Sequence, residues 1–178
     1  MSSQDVYFWC DLETTGLDPS SCEITEIAAI LTRGPGQGFE GITGFSSLIC
    51  ADGALWQRGA LDLAEESGLL ADLDECSPPT ISSVEHHLSQ KIARFDRVFL
   101  AARNVAFERG FLEVHMPDLA DLLHYRAFDV TPLCQIDPTL YDYAHGVEGT
   151  PHRAMYDIER DLAYAREFVR RYGSEGTQ

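Results

Sequence analysis

Short apolar runs alternate along the chain with longer amphipathic stretches, the pattern of strands interleaved with helices. Residues 6–12 (VYFWCDL) are aromatic and β-branched and predict a first strand. Residues 23–32 and 41–50 predict two more, separated by the turn-rich RGPGQG. Residues 61–73 and 83–95 carry helical spacing, with Pro78 and Pro79 between them, and Ser82 followed three residues later by Glu85 has the form of a capping box. Beyond these, 97–102 predicts a strand, 107–115 a helix and 127–130 another strand, with Thr131 placed to cap the segment after it. In the last helix Thr150 is placed to cap, Pro151 suits the first turn, and Met155, Ile158, Leu162, Ala165 and Val169 form an apolar stripe facing the sheet. The fold class this alternation predicts is α/β, a mixed sheet of about five strands flanked by helices.

At 178 residues and 44% hydrophobic content, the chain has the size of one domain with a normal core. Residues 1–173 are expected to form that domain, and 174–178 a frayed tail. No apolar run is long enough to span a bilayer, and no membrane partner is expected. Five cysteines (Cys10, Cys22, Cys50, Cys76 and Cys134), without CxxC spacing or a signal-like start, predict reduced thiols and a cytoplasmic location. The net charge of -16 would repel a long polyanion, so a short nucleic acid is the better fit. Arg153, Arg160, Arg166, Arg170 and Arg171, among Glu159, Asp161 and Glu167, read as surface ion pairs on the last helix.

The candidate chemistry lies in three pieces: Asp11 and Glu13 in DLETTGLD, Glu108 in NVAFERGFL, and His152 with Asp157 in HRAMYD. Two residues apart on a strand, Asp11 and Glu13 point to one face. Carboxylates crowded in this way repel unless a divalent cation or a proton sits between them. Magnesium or manganese suits such oxygen ligands, and a pair of ions can stabilise both the attacking and the leaving oxygen of a phosphodiester. His152 is the candidate general base. On a regular helix it would lie about 140° from Asp157, so it is placed at or before the helix start.

These segments resemble the DEDDh exonucleases, and among them the oligoribonucleases, which finish the degradation of very short RNA. DLETTGLD with ITEIAAILT looks like the family's first motif and second strand, NVAFERGFLEVHMPDLADLLHYRAFDVT like its middle segment, and GTPHRAMYDIERDLAYAREF like its final helix. The resemblance implies an RNase H-like three-layer fold, two divalent metal ions (magnesium or manganese) and removal of nucleotides one at a time from the 3' end. By position, Asp11, Glu13, Glu108 and Asp157 would hold the metals and His152 would deprotonate the attacking water. Glu108 stands where the family has aspartate, and its extra methylene displaces the carboxylate by roughly 1.5 Å. Arg126 and Thr131 resemble contacts to a 5' phosphate, Tyr125 a base-stacking tyrosine supplied by a partner subunit, and Leu17 a wedge between bases, which together imply a homodimer. Thr14, Gly16 and Asn104 complete the implied substrate-binding set. Val105 replaces a polar residue of the phosphate cap, and Trp56 lies slightly out of register with the family's tryptophan. Two other readings remain open: a DNA 3'-to-5' exonuclease of the proofreading type, and a nucleotide-binding domain catalytically weakened by Glu108.

Overall fold

The computed structural model describes residues 5–51 and 54–173. Five strands form one sheet: β1 (Val6–Thr14), β2 (Ile24–Arg33), β3 (Gly41–Leu48), β4 (Val98–Ala102) and β5 (Ala127–Asp129), in the order β3-β2-β1-β4-β5. β1 pairs antiparallel with β2 and β2 with β3, whereas β4 and β5 run parallel to β1. The helices are α1 (Arg58–Glu66), α2 (Leu69–Glu75), α3 (Ile81–Ile92), α4 (Val105–His115), α5 (Pro117–Ala120), α6 (Thr131–Ile136) and α7 (Ala154–Tyr172). Two short 3-10 segments, Pro35–Gln37 and Pro138–Gly146, complete the order.

Because successive side chains alternate across a strand, the central β1 serves two cores. Val6, Phe8, Cys10 and Leu12 pack with Val84, Leu88 and Ile92 of α3 and Phe111 and Leu112 of α4. On the other face Trp9 packs with Ala28, Ala101 and Val130 and with Ala154, Ile158, Leu162 and Ala165 of α7. Three layers result, helices covering both faces of a mixed sheet, as the family resemblance implies. Being covered on both sides, β2 is buried along nearly its whole length. The Trp9 indole N–H donates to Thr32 Oγ1 at 3.0 Å, so the largest buried side chain keeps its polar atom satisfied.

Four local expectations are corrected. The helix predicted over 61–73 is two helices, because Gly68 adopts φ +78 between α1 and α2, a left-handed conformation that glycine takes at little cost. Ser82 and Glu85 form no capping box: Thr80 precedes α3 without a side-chain cap, and Glu85 Oε1 instead accepts the N–H groups of Asp118 and Leu119 at the start of α5. Thr131 is the first residue of α6 rather than its cap. Its N–H is accepted by Asp129 Oδ1 at 2.8 Å, and its hydroxyl donates to the Arg103 carbonyl. Finally, α7 starts at Ala154, not at Thr150 and Pro151, because a buried glutamate from β2 takes up its first free N–H: Glu26 Oε2 accepts from Ala154 at 3.1 Å. The tail over 174–178 lies outside the described residues.

Candidate active site

Asp11 and Glu13 occupy the carboxyl-terminal half of β1, on the same face as Trp9 and under α7. The register of β1 against β2 shifts between Glu13 and Thr14, so the regular ladder ends at the second acid. Asp157 is the fourth residue of α7, within the first turn, where the helix dipole favours a negative charge. One carboxylate oxygen from each of Asp11, Glu13 and Asp157 lies within 4.8 Å of the others. Two segments nearly 150 residues apart in sequence therefore meet in one acidic site.

The fourth acid, Glu108, is buried in the first turn of α4 but does not join that trio. Its charge reaches Asp11, while its own Oε2 is buried without a hydrogen-bond partner. Asp161, one helical turn beyond Asp157, is a further acid at the site, itself buried and tied to Arg160 Nε at 3.1 Å and Arg103 Nη1 at 3.5 Å. Arg160 also pairs with Asp157 Oδ1. The reading of Arg153, Arg160 and Asp161 as solvated surface pairs is thus corrected: these side chains turn inward to the acidic site or its supports. The signal for this is spacing, since Asp161 stands at i+4 from Asp157 and must share its face.

Burial and mutual repulsion raise the pKa values of these acids. Burial, followed by the charges of Asp157, Glu108, Glu13 and Asp161, raises the Asp11 carboxyl well above the usual range. Burial, with Asp157 and Glu26 adding, pushes Glu13 up to about 8 against the pull of Arg153. Glu108 is pushed up to about 8, chiefly by burial. Asp161 reaches about 6 through burial, despite its two arginines. An acid whose folded pKa is raised adds stability that is fully present below its unfolded value and lost as pH climbs to the folded one. Without metal, the Tm of the protein is therefore expected to fall steadily between about pH 5 and pH 8.5. Thermal melts in a chelator check this. A Glu108→Gln variant should show a smaller fall, and a Tm that stays flat or rises over that window contradicts the reading.

Beside Glu13 a groove of about 510 Å³ opens, lined among others by Leu12, Thr14, Gly16, Leu17, Trp56 and Phe107. Thr14 Oγ1 donates to the Gly16 carbonyl at 2.7 Å, and the Leu17 N–H donates to Gln57 Oε1 at 3.2 Å. A Cβ on Gly16 would stand 2.3 Å from Gln57 Cδ, so any larger residue there displaces the Gln57 side chain. Leu17 is 77% exposed at the groove's edge. Trp56, Gln57 and the α1 residues Ala60 and Leu63 also form its wall. Periodicity does not mark these as site residues, because Trp56 and Gln57 lie in an irregular connection.

The remaining predicted residues do not line the groove. Asn104 stands just past the carboxyl end of β4, at the start of α4, and Thr131 just past that of β5. With Asp11 and Glu13 they follow the rule that sites on such sheets gather at the carboxyl ends of strands. Tyr125 and Arg126 lie at the opposite end of β5, both exposed, with the Arg126 guanidinium 5.4 Å over the Tyr125 ring. His152 precedes α7 by two residues at φ +60, a left-handed conformation uncommon for a non-glycine residue. Its N–H donates to Asp157 Oδ2 at 3.0 Å, linking the candidate base to a candidate ligand.

The fold is shared with the zinc-bound form of E. coli ExoI in complex with single-stranded DNA, at a TM-score of 0.72 and 16% identity over 96% of this chain. The chain spans 42% of that larger chain. A mixed five-stranded sheet with an acidic cluster at the carboxyl end of its central strand matches, with this likeness, the RNase H-like exonuclease fold. No family model matches the chain. The oligoribonuclease of Mycobacterium leprae is 31% identical over 181 residues, covering 94% of this chain and 80% of its relative. That of Rhodococcus jostii is 31% identical over 182 residues (92% and 87%), and that of Francisella tularensis 28% over 172 (92% and 93%). The chain belongs to the oligoribonuclease family. Among its described residues, no helix is long and apolar enough to cross a membrane.

Proposed function

We propose that this enzyme is a metal-dependent exoribonuclease that degrades short oligoribonucleotides to mononucleotides from the 3' end in the cytoplasm. The observation that carries this reading is the convergence of Asp11, Glu13 and Asp157 beside a groove large enough for a terminal nucleotide. The donor set fits divalent metal: all ligand atoms are carboxylate oxygens, which suit magnesium and manganese, and buried Glu108 Oε2 has no partner. Asp11, Glu13 and Asp157 would hold the ions, with Glu108 beside Asp11. Two such ions supply charge stabilisation for the attacking and leaving oxygens.

The chain's own groups do the rest. His152, in its neutral form, accepts the proton of the attacking water as the water oxygen bonds phosphorus and the bond to the 3' oxygen of the preceding nucleotide breaks. The groove between Leu17 and Trp56 holds the terminal nucleotide and orients its phosphate. Thr131 meets the 5' phosphate together with the partner subunit's Arg126, whose guanidinium suits that anion. The exposure of Tyr125 and Arg126 at the far end of β5 supports a homodimer in which they serve the partner's substrate. With a net charge of -16, affinity for short chains is the consistent expectation.

The single-stranded DNA held by the ExoI relative keeps a DNA substrate in view. Matched 5'-labelled RNA and DNA trimers separate the two. The RNA reading expects stepwise shortening from the 3' end, faster on RNA; shortening only of DNA, or release of a labelled 5' mononucleotide in the first step, contradicts it. Gly16→Ala is expected to push Gln57 out of place and raise KM roughly tenfold with little change in kcat, since overpacking costs about 1–3 kcal/mol. Steady-state kinetics on a dinucleotide check this, and an unchanged KM removes Gly16 from the groove's function. Glu108→Asp is expected to raise turnover in magnesium by roughly tenfold, because a misplacement of about 1 Å costs up to a hundredfold. A single-turnover rate that stays level or falls counts against Glu108 as a misplaced ligand.

A further inference from the structure

Arg153 joins three elements: the start of α7, β2 and α2. Its Nε donates to Glu26 Oε2 at 3.1 Å and its Nη2 to Glu26 Oε1 at 3.0 Å, a forked contact with a carboxylate on β2. Its Nη1 reaches Asp72 Oδ2 on α2 at 2.6 Å. Glu26 is 4% exposed, stands directly across the ladder from Glu13, and also accepts the first N–H of α7. A buried carboxylate beside a site that is already acidic is costly unless paired, and Arg153 is its partner. The residue immediately before Arg153 is His152, held at φ +60, a conformation that persists only where its surroundings enforce it. Beyond Asp72, the first residue of α2, Leu69, lines the groove.

We propose that Glu26, Arg153 and Asp72 are positioning residues: the guanidinium clamped between the two carboxylates fixes the backbone at His152, sets the base relative to the acidic trio, and ties it to the wall of the nucleotide groove. This rests on the reading of His152 as the base. Glu26 and Arg153 supply the rigid arm. Asp72, more exposed, supplies the link to the groove wall, through which a seated nucleotide would steady the base.

The test is a kinetic cycle on the full chain, with a 5'-labelled diribonucleotide and manganese, comparing wild type, Arg153→Lys, Asp72→Asn, His152→Ala and the double variants with His152→Ala. Arg153→Lys keeps the charge and loses the fork. It is expected to lower kcat by roughly 10- to 100-fold, with KM and manganese affinity within about threefold of wild type. Asp72→Asn should lower kcat by about threefold to tenfold. Groups that act through one another are non-additive, so neither substitution should slow the protein further once His152 is alanine. If Arg153→Lys falls short of folding, Asp72→Asn carries the same cycle, because its side chain is 47% exposed. A drop for His152→Ala with unchanged kcat in the folded clamp variants overturns the clamp alone, as do fully additive effects in the double variants. An unchanged kcat in His152→Ala overturns the base and the clamp together.

Discussion

Asp11→Asn is expected to lower turnover at least about a thousandfold, the loss of roughly 4 kcal/mol of transition-state stabilisation that metal-held charge supplies. Burial first, and then the charges of Asp157, Glu108, Glu13 and Asp161, oppose the ionised form of Asp11. Replacing it with a neutral isostere removes a ligand and at the same time relieves that repulsion. The variant should therefore melt at a higher temperature than wild type in a chelator, yet gain less from manganese. Activity and metal-free stability moving in opposite directions is the signature of a site built to hold a cation rather than to support the fold. Single-turnover kinetics with paired melts check both, and a variant that loses stability without losing activity contradicts the assignment.

His152→Ala carries the second large effect, a fall in kcat of about 10²- to 10⁴-fold with substrate affinity little changed, the range for removing a positioned general base. Because the base must be neutral, the wild-type rate under single-turnover conditions should rise as the imidazole loses its proton. The alanine variant should lose that limb of the profile. The acids add a second dependence, since Glu13 and Glu108 are pushed up to about 8 without metal and must surrender protons as ions bind. Manganese uptake should accordingly release more protons near neutrality than above pH 9, which calorimetry in buffers of different ionisation enthalpy measures. Saturating manganese separates the two effects: the dependence that survives belongs to His152. A wild-type profile that is flat near neutrality under those conditions excludes His152 as the base.

Much of this site is legible along the chain because its central parts obey simple periods. Asp11 and Glu13 are two residues apart on a strand, so they share a face whatever else the fold does. The stripe of α7 fixes which side meets the sheet, and five residues of separation place His152 ahead of the helix. The hidden parts depend on partners distant in sequence. The start of α7 is decided by Glu26, 128 residues from Ala154, so local capping signals at Thr150 and Pro151 point too early. Arg153 and Asp161 look like surface charges until the sheet and the neighbouring helices close over them. Trp56 and Gln57 belong to a connection whose course is set by where α1 docks. Glu108 marks the boundary between these cases: its burial comes from its place on α4, but its position outside the trio emerges only in three dimensions.

The central claim, that Asp11, Glu13 and Asp157 hold the metal on which cleavage depends, is tested most directly by incubating the protein with a 5'-labelled diribonucleotide in manganese, in excess chelator, and in manganese with Asp157→Asn in place of wild type. Conversion of the label to mononucleotide is expected in the first reaction alone. No product in any of the three, or equal product with chelator or with Asp157→Asn, would contradict it.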